Sequence, residues 1–161
     1  EIPISIAVFL IQNLLNNGAL GKCGISEGDN ADIQSCLPNF KKVIDDLDID
    51  SANLCYTKIM GTALINSYSL TGEPSGGLLI LENSLKNKLT KNIITRKTNN
   101  YLFIDWIHTT TKYLNDFYQF FNISQPTIKE LKNRLLKYLN EHKNGLSDEW
   151  TNNTILYNGC D

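Results

Sequence analysis

The chain has 161 residues, of which 42% are hydrophobic and 20% are charged, a composition typical of a globular protein. This length suits one domain over residues 1–161, which can bury about 70% of the surface of its unfolded chain. The formal net charge of −2 excludes a protein drawn to nucleic acid or to an anionic membrane by its overall charge.

The chain opens with an apolar stretch, EIPISIAVFLIQNLL. It lacks the basic region that precedes the apolar part of a signal peptide, so we expect a structural helix over residues 3–16. Because that helix is apolar on most sides, the pattern predicts deep burial. No apolar run in the sequence reaches the length of about 20 residues that a membrane span requires.

Apolar residues recur with a helical period along most of the rest of the chain. Ser51 is a suitable N-cap for one helix, and Thr127 with Glu130 has the pattern of a capping box for another. Residues 71–77, TGEPSGG, indicate a loop. The predicted fold is therefore an all-α, single-domain bundle of about six helices, which begin near residues 3, 33, 51, 78, 101 and 127.

The fifth predicted helix, residues 101–121 (YLFIDWIHTTTKYLNDFYQFF), contains eight of the fifteen aromatic residues. In helical form it has a wide apolar face and a polar face that includes Asp105 and Asp116. This pattern favours a central core helix. The alternatives are the wall of a small-molecule cavity and a surface for a partner. The candidate ligand-binding residues on this helix are Phe103, Trp106, Thr110, Tyr113, Phe117 and Phe121.

The cysteines have neither a CxxC pair nor the spacing of a zinc site, so no metal is expected. An even number of cysteines, in a chain that starts at Glu1 rather than Met, indicates a secreted protein with two disulfides. Glycosylation sequons at Asn122 and Asn152 favour the same extracellular location. The four cysteines are Cys23, Cys36, Cys55 and Cys160.

The predicted helices limit how these cysteines can pair. In an antiparallel hairpin of helices two and three, Cys36 and Cys55 lie roughly 15 Å apart, whereas a disulfide requires Cα atoms within about 7 Å. Two schemes remain: Cys23–Cys36 with Cys55–Cys160, or Cys23–Cys55 with Cys36–Cys160. The first is favoured because the glycine-containing loop between Cys23 and Cys36 closes easily. Either scheme ties the C-terminal tail, residues 146–161, to the first half of the bundle.

Motifs for metal binding and catalysis are incomplete in this sequence. Asp46, Asp48 and Asp50 have the spacing that opens an EF-hand loop, but Ser51 replaces the glycine at its sixth position and Thr57 replaces the glutamate at its twelfth. The two histidines lie on different predicted helices, without a pattern of nucleophile and base, and nucleotide-binding motifs are absent. We therefore expect a protein that is not an enzyme and uses no cofactor.

Without catalytic groups, the expected function is binding. The favoured hypothesis is a secreted protein-recognition factor (effector, toxin or cytokine-like), because no polar group specific to a ligand pocket stands out. The alternative is an extracellular carrier of a small hydrophobic ligand, held in a cavity walled by helix 101–121. An internal cavity of about 300 Å³ or more would favour the carrier.

Overall fold

A computed structural model describes residues 1–29, 31–32, 59–72, 74–98 and 101–160, and its fold is mixed α/β. The predicted all-α bundle is therefore wrong. The described helices are α1 (Ile2–Asn16), α2 (Thr62–Gly72), α3 (Leu114–Phe120), α4 (Ile128–His142) and α5 (Asp148–Tyr157), with a 3-10 helix at Asn83–Lys88. The described strands are β1 (Cys23–Ile25), β2 (Ala31–Asp32), β3 (Ile59–Met60), β4 (Leu79–Leu81), β5 (Thr95–Lys97) and β6 (Leu102–Ile104).

Four of these strands form one mixed sheet in the order β1-β4-β6-β5. Strand β1 runs parallel to β4, with Cys23 opposite Leu79. Strand β6 runs antiparallel to both of its neighbours, with Ile104 opposite Leu79 on β4 and opposite Thr95 on β5. Strands β2 and β3 form a separate antiparallel pair. The centre of the main sheet is therefore β4 and β6.

Side chains of these two central strands alternate between two hydrophobic cores, one on each face of the sheet. The larger core combines side chains of α1, α3 and α4 with those of Leu79, Leu81, Leu102 and Ile104. The smaller core combines Leu70 of α2 and Tyr157 of α5 with Leu78, Ile80 and Phe103. The sheet therefore lies between helices on both of its faces.

The helical predictions near 78–93 and over 101–121 are wrong at two short apolar runs, which form strands instead. These runs are LLIL (78–81), most of which forms β4, and LFI (102–104), which forms β6. All seven side chains are at most 1% exposed. A short run that is buried on both faces of a sheet lacks the alternation of a half-exposed strand, so periodicity alone does not separate it from a buried helix. Pairing within the sheet satisfies the backbone of these runs, and packing on two faces buries their side chains.

Two predicted helices are confirmed, α1 and α4. Helix α1 has a proline in its first turn, where a missing N–H is harmless. Helix α4 begins with the predicted capping box. The Thr127 hydroxyl accepts a hydrogen bond from the Glu130 amide at 3.3 Å, and the Glu130 carboxylate accepts one from the Thr127 amide at 2.8 Å. The hydrogen bond from the Thr127 backbone is the main reason why the pKa of Glu130 is lowered.

The remaining helical predictions fall largely outside the described residues. The second predicted helix, the first part of the third and the Asp46–Asp50 motif are among them. Within the described residues, the third predicted helix, which was expected to begin near Ser51, appears as α2 from Thr62, and Ile59 before it lies in β3.

The two predicted disulfides are wrong. No disulfide is found in the described part of the chain, and Cys23, which both predicted schemes require, is a partly buried thiol whose pKa is raised by burial. Cys36 and Cys55 lie outside the described residues. The tail is instead held by packing: the Tyr157 ring stacks on Phe103 with centroids 3.9 Å apart.

A chain of buried hydrogen bonds crosses the larger core. The Tyr118 hydroxyl donates to Gln12 Oε1 at 2.9 Å, and Gln12 Nε2 donates to the Trp106 carbonyl at 2.8 Å. Trp106 Nε1 then donates to the Gly77 carbonyl at 3.2 Å. The chain connects α3, α1, the turn after β6 and the start of β4, and it satisfies polar groups that would be costly to bury alone.

Helices α1 and α5 end in the same type of turn. Gly18 and Gly159 have φ values of +77° and +59°, in the left-handed region. In each turn the next residue closes the helix, since the Ala19 amide donates to the Leu14 carbonyl and the Cys160 amide donates to the Ile155 carbonyl. This is the Schellman pattern, which favours glycine. The surroundings of the two glycines differ, because Gly18 faces open space and Gly159 lies in a packed site.

Tyr118→Phe should lower the free energy of unfolding by about 1–3 kcal/mol, because it leaves Gln12 Oε1 buried without a donor. Burial raises the pKa of Tyr118 from 10.0 to about 12 in the folded protein. The resulting stabilisation is fully present below pH 10 and is lost as the pH rises through 12. Urea unfolding at pH 7, 9 and 11 should therefore show a smaller alkaline loss in the variant than in the parent. Tyr68→Phe, at an exposed tyrosine, is the control, and equal stability of the two variants would contradict the prediction.

Gly159→Ala should destabilise the protein by about 2–4 kcal/mol, and Gly18→Ala by only about 1 kcal/mol. Both substitutions place a Cβ on a left-handed backbone, but at Gly159 this Cβ would lie 2.8–3.0 Å from atoms of Arg96, Asp105 and His108. Thermal and urea unfolding of the two variants separates backbone strain from the steric clash. Equal losses of unfolding free energy in the two variants would show that the residues around Gly159 make room for the added Cβ without further destabilisation.

Candidate protein-binding surface

The six residues of the aromatic segment that were predicted to bind a ligand are not gathered around one cavity. Phe103 belongs to the smaller core, whereas Trp106 belongs to the larger core on the opposite face of the sheet. Since the sheet separates them, these two rings do not face a common space. The remaining four are partly buried (Tyr113 and Phe117) or exposed (Thr110 and Phe121).

Two clefts at the surface have other walls. One, of about 340 Å³, lies between the start of α1, strand β1 and helix α2. The other, of about 240 Å³, lies between the end of α1 and the second half of α4, where Arg134 and Tyr138 line it. Neither is walled by the six aromatic-segment residues, so the described clefts give the carrier hypothesis no support from those side chains.

Both predicted glycosylation sites are accessible. Asn122 is exposed in the turn after α3, with a φ of 53°, and Asn152 is exposed on α5. A glycan at either position would extend into solvent.

A buried carboxylate, Asp105, lies at the end of β6 and is only 1% exposed. Its Oδ1 accepts hydrogen bonds from the amides of Ile107 and His108 at 3.2 and 3.1 Å. Nδ1 of His108 lies 2.9 Å from Oδ2, and Nη2 of Arg96 lies 4.0 Å from the same oxygen. The sequence prediction placed Asp105 on the polar face of a helix, but it lies instead in a buried turn after a strand.

The arrangement around Asp105 orients the His108 ring, with Nδ1 toward the carboxylate and Nε2 on the far side. An oriented histidine of this kind can accept a proton at Nε2. The carboxylate itself, however, has all of its observed partners within the protein, in the turn after β6 and at Arg96 of β5, and Gly159 leaves the space beside it open. We therefore assign the Asp105 cluster a structural role. An aspartate that follows an apolar run and precedes a turn is the sequence signal for such a bond to its own backbone.

The outer side of α1 exposes a row of large apolar side chains. One side of this helix is buried in the larger core. The other side exposes four aliphatic side chains, each 40–51% accessible, at a constant spacing of four residues: Ile2, Ile6, Leu10 and Leu14. Residues four apart are neighbours on a helix, so these side chains form one continuous ridge.

The aromatic end of α3 extends this ridge. Phe120 and Phe121 are 81% and 54% exposed, and their rings meet edge to face with centroids 5.1 Å apart. The Phe121 ring stacks on Phe9 of α1 at 5.3 Å. Because Phe9 lies three residues after Ile6, it is a neighbour of the ridge on the helix surface. We define the apolar surface as Ile2, Ile6, Leu10, Leu14, Phe120 and Phe121.

The apolar surface is also free of charge. Neither Ile2–Asn16 nor residues 119–128 contain an ionisable side chain. A surface of this kind offers nothing to phosphate groups, and a contact that covers it does not bury an unpaired charge.

The sequence signal for this surface is the apolar character of α1 on most sides, which predicts burial rather than exposure. A helix that is apolar on most sides predicts burial on most sides, yet α1 is covered by the protein on one side only. Exposed apolar residues in a continuous group are informative in a way that single ones are not.

Comparisons with known proteins identify no relative: no family model, no curated protein and no solved structure matches the chain. Within the described ranges, none of the helices has the length and apolar character needed to cross a membrane. The same part of the chain contains no group of three or more His, Cys, Asp or Glu side chains placed to hold a metal ion.

Asp105→Asn should lower the free energy of unfolding by about 2–4 kcal/mol, because the new amide group presents a donor to His108 where the carboxylate accepted, and removes the negative charge opposite Arg96. Asp116→Asn, at an exposed acid of α3, is the matched control and should cost less than about 1 kcal/mol. Urea unfolding of both variants measures the difference. Equal and small losses would show that the cluster contributes little to folding.

Proposed function

We propose that this chain is a non-enzymatic binding protein that recognises another protein through the apolar surface. The observation that carries the proposal is the continuous group of six large apolar side chains on α1 and α3, each of them at least 40% exposed. The aromatic residues first considered for a small ligand support a carrier less well, because the sheet divides them.

The size of the apolar surface favours a protein partner. Its six side chains together expose on the order of 600 Å², with a fully exposed aromatic side chain taken as roughly 200 Å². That is at the upper end of the largest patch found on typical monomers, about 300–600 Å². A specific protein interface buries roughly 800 Å² per partner. The apolar surface supplies most of that area, and a polar rim would supply the rest.

The chemistry of the surface defines the partner's binding site. It should be apolar and uncharged, with grooves that accept a ridge of aliphatic side chains at one-turn spacing. The exposed rings of Phe120 and Phe121 would provide aromatic anchors, a residue class enriched at interfaces.

An extracellular location is part of the proposal, and it is now supported by the glycosylation sequons but no longer by predicted disulfides. The exposed sequons at Asn122 and Asn152 favour it. The free thiol of Cys23 removes the argument from disulfides. A glycan at Asn122 would stand one residue from Phe121, so its occupancy would also restrict the partners that fit.

Leu10→Asp should weaken partner binding at least tenfold, because it places an unpaired charge at the centre of the ridge. The partner is first identified by photocrosslinking from benzoylphenylalanine at position 6 in extracts of the source organism. The crosslinked protein is then purified, and its dissociation constant for the parent chain and the variant is measured by calorimetry.

The matched control is Leu136→Asp on α4, where the leucine is 47% exposed, against 51% for Leu10. Leu136 lies two residues after Arg134, which reaches Asn16 of α1, so it points away from α1. The control variant should bind the partner within twofold of the parent. Equal effects of the two aspartates, or a partner whose affinity is unchanged by both, would contradict the proposal.

A further inference from the structure

We infer that the protein partner fitting the apolar surface is a second copy of this chain, related to the first by a two-fold axis that passes near the middle of α1. The inference rests on the proposed function, because it takes the apolar surface to be a protein-binding surface. It adds the identity of the partner and the geometry of the contact.

The ridge on α1 is complementary to itself. Its side chains recur every four residues, and two ridges of this kind interdigitate when the helices cross at about −50°, the commonest angle between packed helices. A two-fold axis requires that one patch contacts the same patch on the other copy. With the axis between Ile6 and Leu10, Ile6 of one copy meets Leu10 of the other, and Ile2 meets Leu14.

The charge pattern permits this arrangement. A two-fold contact places every charged group near its own symmetry mate, which is costly when the centre of the patch is charged. Helix α1 has no ionisable side chain between its first and last residues, Ile2 and Asn16. No like charges would therefore meet at the axis.

The aromatic pair lies close to the same axis. Phe121 stacks on Phe9, which lies three residues after Ile6 and is therefore its neighbour on the helix surface, at the flank of the ridge. Each copy would thus place Phe121 and Phe120 beside the α1 helix of the other copy, one pair on each side of the crossing. These contacts would cover the most exposed ring in the described structure, that of Phe120, at 81%.

The available area predicts a reversible dimer. Two surfaces of about 600 Å² bury roughly 1,200 Å² in total, the lower limit for stable, specific interfaces. Interfaces of this size are common in weak, transient association, so we expect a dimer that dissociates in the micromolar range or above.

Sedimentation equilibrium of the full chain from about 1 μM to 1 mM tests the dimer, over the range that its expected affinity requires. The parent chain and Leu136→Asp should dimerise with the same dissociation constant, and Leu10→Asp should weaken dimerisation at least tenfold. Equal dimerisation of all three proteins would place the contact elsewhere and overturn the inference.

The geometry is tested by photocrosslinking in a mixture of nitrogen-14 and nitrogen-15 protein, with benzoylphenylalanine at position 6. Mass spectrometry distinguishes adducts within one chain from adducts between two chains. The inference predicts mixed-isotope adducts at and around Leu10. A monomer at all concentrations, together with an adduct to a different protein that Leu10→Asp weakens, would overturn the inference and leave the proposed function standing. Adducts confined to one chain would show that the chain covers its own surface, and would overturn both.

Discussion

The backbone of Gly77 connects the larger core to helix α5 and the residue that follows it. Its carbonyl accepts hydrogen bonds from Trp106 Nε1 and from Asn158 Nδ2, both at 3.2 Å, and its amide donates to the Thr154 hydroxyl at 2.8 Å. The residue directly precedes the run that forms β4, so these bonds fix the central strand to the larger core and to α5 at the same point. Five buried polar groups are hydrogen-bonded together at this point, namely the Gly77 carbonyl and amide, Trp106 Nε1, Asn158 Nδ2 and the Thr154 hydroxyl, and such a network holds its members in place jointly.

This constraint explains why the aromatic segment is not a helix. Trp106 reaches Gly77 only because the chain leaves β6 in a turn, and the carboxylate of Asp105 stabilises that turn by accepting two backbone amides. Sequence periodicity reports the spacing of apolar residues, but it carries no information about a hydrogen bond between residues 29 positions apart. The same limit applies to LLIL, where burial on both faces removes the pattern that would identify a strand.

Local signals, in contrast, were sufficient for α1 and α4. A capping box and an apolar stripe involve residues within one or two turns, so the sequence contains the whole interaction. The limits of α1 could be predicted in this way, but its environment could not. Which side of an apolar helix is covered depends on the placement of distant elements, here α3, α4 and β1. For that reason the candidate surface became visible only in the fold.

The parallel pairing of β1 with β4 has a consequence for the order in which the fold forms. Cys23 pairs with Leu79, 56 residues later, whereas Lys97 pairs with Leu102, five residues later. Closing the longer connection costs more chain entropy, so we expect β1 to pair with β4 after the β5–β6 hairpin has formed. As long as α1 is not yet packed against α3, α4 and β1, both of its sides face water. Protein concentration during synthesis or refolding then decides whether this helix finds its own core first or the helix of a neighbouring molecule.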